Sequence, residues 1–215
     1  YIKILLYMIG SGSKDLDKFL EGYQNELTSF FGPSGSGKTT ICMLASISLA
    51  KYGKKSLFLN TQSGFSTDRF MQLAGPNYKS YLERIFVVNI NSFDEQSKKL
   101  FELVKVISNF DVVVIDTFNN HYRKEVKDNI HVVNKLFDKQ IRVINELSKS
   151  KPILITNQVY TDFSKNEQLM VGKDIIEKWC TRIFELQTNP RAIIERKPGN
   201  KKAMFEIKDN GITFS

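Results

Sequence analysis

At 215 residues, 41% of them hydrophobic, the chain can bury one substantial core, and nothing in its composition asks for a second domain. Its longest apolar stretches, at 4–9 and 112–115, fall far short of the roughly 20 residues that a bilayer-spanning helix needs, so a soluble protein with no membrane contact is expected. The formal net charge of +8 suits an anionic partner, although lysine-rich chains reach such totals with no nucleic acid in view.

The first ten residues lack the basic leader and small-residue cleavage site of a secretory signal. Cys42 and Cys180 have no metal-ligand spacing and read as reduced core thiols, which sets the expectation of a cytoplasmic location.

In chain order, the pattern predicts a short helix over 15–20, a strand over 26–31 running into a glycine loop, and a helix over 37–51. A strand over 56–60, a helix over 67–74 and a strand over 85–89 follow. Leu100, Leu103, Val104 and Ile107 give the 93–109 segment one buried helical face. The run at 111–116 reads as a strand buried on both sides. A long helix over 129–150 carries Val133, Leu136, Phe137, Ile141, Ile144 and Leu147 on one side, and a buried strand over 152–157 comes next.

This alternation predicts an α/β fold: a mainly parallel, twisted sheet with helices on both faces and right-handed crossovers. After Trp179 the texture changes to short strands over 181–187, 191–196 and 203–208, joined by Asn-Pro and Pro-Gly-Asn turns, so antiparallel strands should extend the sheet at its C-terminal end.

The chemistry is concentrated in Gly32-Pro33-Ser34-Gly35-Ser36-Gly37-Lys38-Thr39, a full Gly-x4-Gly-Lys-Thr pattern with a strand before it and a helix after it. Glycines there let backbone N–H groups converge on phosphate oxygens at the positive end of the helix. Lys38 is then the contact for the β- and γ-phosphates, and the Thr39 hydroxyl a Mg²⁺ ligand, which makes ATP and Mg²⁺ the expected cofactors. Thr40 has two open readings, near the α-phosphate or packed in the first helical turn.

Asp116 ends its strand, so its carboxylate should emerge at the carboxyl edge of the sheet and hold the metal; the plain alternative is a cap for the next segment. Gln158, at the end of Ile153-Leu154-Ile155-Thr156-Asn157, is balanced between a γ-phosphate sensor and an ordinary loop residue.

With these pieces placed, the chain resembles the RecA/RadA recombinase superfamily, and within it the short archaeal RadA paralogues of the RadB group. The resemblance runs from Ser13-Lys14-Asp15-Leu16-Asp17 to Asp209-Asn210-Gly211-Ile212. Its telling parts are the glycine loop with Phe31, Val114-Ile115-Asp116-Thr117-Phe118 and Ile155-Thr156-Asn157-Gln158-Val159-Tyr160. It implies a single RecA-like P-loop ATPase core over 1–215 without the separate N-terminal DNA-binding domain of RadA, and an accessory role in recombinational repair. Arg69 matches the position where the family stacks an arginine on adenine, a contact that a guanidinium plane suits.

One departure stands out. The family's second strand usually ends Asp-Thr-Glu-Gly, with the Glu positioning the attacking water, where this chain has Asn60-Thr61-Gln62-Ser63-Gly64. Neutral Gln62 can bond a water but cannot take its proton, and general-base effects are worth roughly 10²- to 10⁴-fold. ATP is therefore expected to act mainly as a conformational switch, with hydrolysis weak or absent.

Single- or double-stranded DNA would be met by the loops after Asp116 and Gln158, through His121, Tyr122, Arg123, Lys124 and Lys165, where charge accompanies a ring able to stack on a base. Lys197, Lys201 and Lys202 form a second basic candidate; a merely solvated loop is the bland reading of both. By the resemblance, a RadA-type recombinase or a replication factor is the candidate protein partner, with room for self-association. The competing reading is a regulatory ATP-binding module that acts through protein contacts without direct DNA binding.

Overall fold

In the computed structural model of the chain, residues 9–62, 65–127, 129–162 and 167–215 are described. Helix α1 (Lys14–Leu20) precedes strand β1 (Leu27–Phe31) and helix α2 (Lys38–Ala50). Strand β2 (Ser56–Asn60), helices α3 (Thr67–Ala74) and α4 (Tyr78–Leu82), and strand β3 (Ile85–Asn89) follow. Helix α5 (Phe93–Val106) leads to strand β4 (Val112–Asp116), and helices α6 (Asn120–Glu125) and α7 (Ile130–Ser148) to strand β5 (Ile153–Asn157).

The remainder is a hairpin of β6 (Val159–Asp162) and β7 (Glu167–Met170), helix α8 (Lys173–Trp179), and strands β8 (Arg182–Thr188), β9 (Arg191–Lys197), β10 (Lys202–Lys208) and β11 (Gly211–Phe214).

Nine strands form one sheet in the order β11-β10-β9-β8-β1-β5-β4-β2-β3. From β8 to β3 every pairing is parallel. From β8 outward to β11 every pairing is antiparallel, the extension expected after Trp179.

Successive side chains of a strand point to opposite faces, and the core divides accordingly. Val112, Val114, Leu154, Phe58 and Phe30 face a cluster built on α1, α2 and α3. Val113, Ile115, Ile153, Ile155, Leu57 and Leu59 face a second cluster built on α5, α7 and α8. Burial on both sides is why these strands read as unbroken apolar runs rather than as alternation.

Helix starts follow local chemistry. Side chains of Ser13, Ser66, Ser92 and Asn129 accept from the first-turn amides of α1, α3, α5 and α7. Helix α2 differs: it begins at Gly37, at φ +104°, with no side-chain cap.

On α5 the sequence reading needs one correction. Leu100, Leu103 and Ile107 are buried, but Val104 is 60% exposed. The inner face turns instead through Gln96 and Ser97, which are buried in an amide network with Gln140 of α7: Gln96 Nε2 donates to Gln140 Oε1 at 2.8 Å, and Gln140 Nε2 to Ser97 Oγ at 2.7 Å. Hydrogen bonds across the helix pair thus share the buried face with Leu100 and Leu103. Among the described residues, no helix is long and apolar enough to cross a membrane.

Candidate functional site

Register brings the strand ends together. Phe31 of β1 lies opposite Asn157 of β5, and Asn60 of β2 opposite Asp116 of β4. The segments that leave these strands meet at one carboxyl edge, where open α/β sheets bind ligands. The Gly32–Thr39 loop, Gln62, Asp116 and Gln158 all stand there.

Glycine is required at two points of the loop. A Cβ on Gly32, at φ +153°, would run into the backbone carbonyl of Leu186, and one on Gly37 would lie 2.8 Å from Cδ1 of Ile207. Without those side chains the loop wraps a cleft of about 180 Å³, lined by Ser34, Gly35, Gly37, Lys38, Thr39, Thr40, Gln62, Thr117, Gln158 and Ile207. Thr40 therefore lines the cleft although it sits in the first turn of α2. A larger cleft of about 810 Å³ lies between β7, α8 and the β8–β9 pair. Its wall carries the Glu185–Arg196 ion pair and none of the loop glycines, so the smaller cleft is the one with anion-binding geometry.

Lys38 is 6% exposed, and its ammonium donates to the carbonyls of Gly32 at 2.9 Å and Pro33 at 2.7 Å and to Ser36 Oγ at 3.3 Å. Burial pulls its pKa down to about 8, against the opposing charge of Asp116. The Thr39 hydroxyl donates to Asp116 Oδ2 at 2.7 Å. The other carboxylate oxygen accepts from Thr117 Oγ1 at 3.2 Å and from the Thr156 hydroxyl. Three hydroxyls thus converge on Asp116, which does not serve as a helix cap. The paired oxygens of Thr39 and Asp116 are a hard-donor set of the kind Mg²⁺ takes, and the glycine loop beside them fits a phosphate chain.

Gln62 is exposed and reaches the same cleft as the half-buried Gln158. Arg69 is not in the cleft lining. Its guanidinium donates to the carbonyls of Lys208 at 2.8 Å and Asp209 at 3.3 Å, and to Gln72 Oε1 at 3.0 Å. This fastens α3 to the turn after Ile207, the residue that lines the cleft from β10.

The basic candidates separate. His121 and Tyr122 were expected on a loop, but α6 is a helix and they form its inner face. His121 Nε2 lies 2.9 Å from the Ile90 carbonyl; Tyr122 donates to Asn134 Oδ1 at 2.7 Å and stacks on Phe137 at a centroid distance of 4.0 Å. Neither ring is open to a base. Arg123 and Lys124, on the outer face, are exposed at the carboxyl edge.

Lys165 lies outside the described residues. Lys197 caps α8, donating to the carbonyls of Glu177 at 2.9 Å and Cys180 at 2.7 Å, and Lys201 pairs with Glu21 at 2.6 Å. Lys202 is exposed. Because β9 runs antiparallel to β8, the 197–202 turn lies at the amino edge, across the sheet from the glycine loop.

Sequence reasoning passed over Thr156, Thr117, Asn119, Ile207 and Arg191, whose guanidinium donates to the Gly35 carbonyl at 2.9 Å. The hydroxyls beside Asp116 had a signal, their place at or just past a strand end. Ile207 and Arg191 had none, since only the folded sheet brings them to the loop.

The sequence model of the Rad51 family matches residues 3–213. The DNA repair and recombination protein RadB of Methanococcoides burtonii is 33% identical, with 86% of this chain and 85% of that protein covered. RadB of Thermococcus sibiricus is 32% identical over 95% of this chain and 94% of its own. A crystal structure of the RadB recombinase superposes with a TM-score of 0.77 at 28% identity, covering 95% of this chain and 98% of that one.

Proposed function

The chain belongs to the Rad51 family, in its RadB group, and from that premise we propose that it binds ATP and Mg²⁺ in the glycine-loop cleft and uses the bound nucleotide mainly as a switch for DNA contact in recombination and repair. The observation that carries the reading is the 2.7 Å meeting of Thr39 and Asp116 beside the uncapped start of α2. Ser34 to Gly37 would cradle the phosphates, Lys38 would turn to the β- and γ-oxygens, and Thr39 and Asp116 would hold the metal. Bound Mg²⁺ would supply charge that neutralises the phosphates.

Turnover is expected to be slow because Gln62 stands where a base is needed. The amide can orient a water but leaves its proton in place. Gln158, which lines the same cleft, would register the terminal phosphate.

The test is single-stranded DNA binding by fluorescence anisotropy across a salt series, without nucleotide, with ADP, and with ATP and Mg²⁺, with phosphate release followed in the same samples. Salt-sensitive binding that changes with nucleotide while phosphate release stays near background supports the reading. Turnover at the rate of an active recombinase, abolished by Lys38→Ala, refutes the switch.

A second reading, a regulatory module acting through protein contacts with DNA incidental, is favoured by one observation. Of the basic and aromatic residues named for DNA, His121, Tyr122, Lys197 and Lys201 are engaged within the chain. Absence of DNA binding under every nucleotide condition selects it, with a RadA-type recombinase or replication factor as the partner to try.

A further inference from the structure

The two asparagines that follow Asp116-Thr117-Phe118 are used unlike helix caps. Asn119 stands at the N-cap position of α6, where its side chain would ordinarily accept from an amide of the first turn. It makes no such bond. It is wholly buried, and its amide reaches across the sheet edge. Oδ1 accepts from the Gln158 N–H at 2.9 Å, while Nδ2 donates to the Gln158 carbonyl at 3.0 Å and to the Val171 carbonyl at 3.0 Å. The Val171 N–H closes the set on the Gln158 carbonyl at 3.2 Å.

One side chain therefore holds both backbone groups of the residue that faces the cleft, and with the same nitrogen holds the residue directly after β7. Gln158 cannot rotate its peptide without disturbing the base of the β6–β7 hairpin. Asn120 turns the other way, donating from Nδ2 to the Thr61 carbonyl at 2.6 Å, beside Gln62.

We infer that Asn119 is a positioning residue that makes the β6–β7 hairpin follow Gln158, so that what occupies the cleft is reported to the hairpin. The inference rests on the nucleotide reading above and deepens it. An aspartate in this place keeps the acceptor for the Gln158 N–H but has no donor for the two carbonyls. The side-chain clamp on the Gln158 and Val171 carbonyls is then lost, leaving only the Val171 N–H bond to close the base of the hairpin on Gln158, while the glycine loop, Thr39 and Asp116 are untouched.

The test compares the wild-type full chain, Asn119→Asp and Asn120→Ala. Amide hydrogen exchange is followed at residues 159–160 and 169–171 without nucleotide, with ADP, and with ATP and Mg²⁺. A fluorescent ATP analogue measures affinity, and thermal unfolding checks that each variant folds. Should Asn119→Asp not fold, Asn119→Ser, which shortens the reach without adding charge, is read in the same way.

The expected result is a nucleotide-dependent change of at least about fivefold in wild-type hairpin exchange, absent in Asn119→Asp although nucleotide affinity stays within about twofold, and retained in Asn120→Ala. An Asn119 variant that responds like wild type overturns the inference. So does a wild-type hairpin indifferent to a nucleotide that the protein binds, or loss of the response in Asn120→Ala as well, which marks general loosening. Failure of the wild type to bind the analogue sinks the nucleotide reading itself, and this inference with it.

Discussion

Replacing Gln62 by glutamate isolates the step that this chain is expected to lack. Gln62 is exposed at the rim of the cleft, and its backbone carbonyl accepts from Asn60 Nδ2 at 3.3 Å, a bond that the substitution leaves alone. A carboxylate there meets water, so it adds no burial penalty. The change reduces to giving the attacking water a proton acceptor, worth about 10²- to 10⁴-fold. That range corresponds to roughly 3 to 5 kcal/mol off the barrier. Phosphate release at saturating ATP and Mg²⁺, with Lys38→Ala as background and a fluorescent analogue to confirm unchanged binding, should rise by that factor in Gln62→Glu. Wild-type turnover already equal to that of Gln62→Glu would refute the reasoning, since the amide would then suffice.

Arg123→Ala with Lys124→Ala should lower the slope of log affinity for single-stranded DNA against log salt by about one to two, without altering nucleotide affinity; an unchanged slope removes the carboxyl-edge contact. Gly35→Ala, whose Cβ would meet nothing within 4 Å at φ +73°, should cost about 1 to 2 kcal/mol in urea unfolding. Gly32→Ala should cost more than about 3 kcal/mol, because backbone at Leu186 cannot give way as a side chain can. Burial raises the Glu26 carboxyl above its ordinary value, against the opposing pull of Arg182 3.6 Å away. The folded state then holds that proton more tightly than the unfolded one, so stability falls as pH rises through the raised value. Glu26→Gln should raise the melting temperature near pH 7 and leave it unchanged below about pH 4, and an equal shift at both would break the argument.

The parts of the fold legible in the sequence are those whose burial is set by a single sheet. Strands β4 and β5 are enclosed on both faces, and their apolar runs end at Asp116 and Asn157 as the sequence reading placed them. Helices α2, α5 and α7 showed through their length and periodicity. Four short elements did not: β6, β7, α6 and α8 are too short for a period to emerge, and Asn120-His121-Tyr122-Arg123 looks like polar loop until Phe93 and Phe137 supply the inner surface for the Tyr122 ring. Gln96 and Gln140 carry a related lesson. An amide pair at a helix interface is invisible to a hydrophobic count because each partner is polar until the other arrives. In the candidate site, the meeting of the glycine loop with Asp116 was legible because both follow from strand ends, whereas Ile207 reaches the glycine loop only through the sheet order.

On the proposed function, binding and hydrolysis can part company because the residues assigned to each are held differently. The Asp116 carboxylate is fixed by hydroxyls from the loop, from its own strand end and from β5, and Thr61 Oγ1 bonds the Thr117 carbonyl at 2.7 Å, so four chain segments orient it in buried surroundings. Disturbing any one of these leaves a buried polar group without its partner, at a cost of roughly 1 to 3 kcal/mol. The position of Gln62 carries no such obligation: its side chain is exposed, and a change there alters the chemistry of a water without breaking an interior bond. Under that proposal, Gln in place of Glu at this position would remove a base and leave the proposed nucleotide cradle intact, which is the arrangement a binding switch requires.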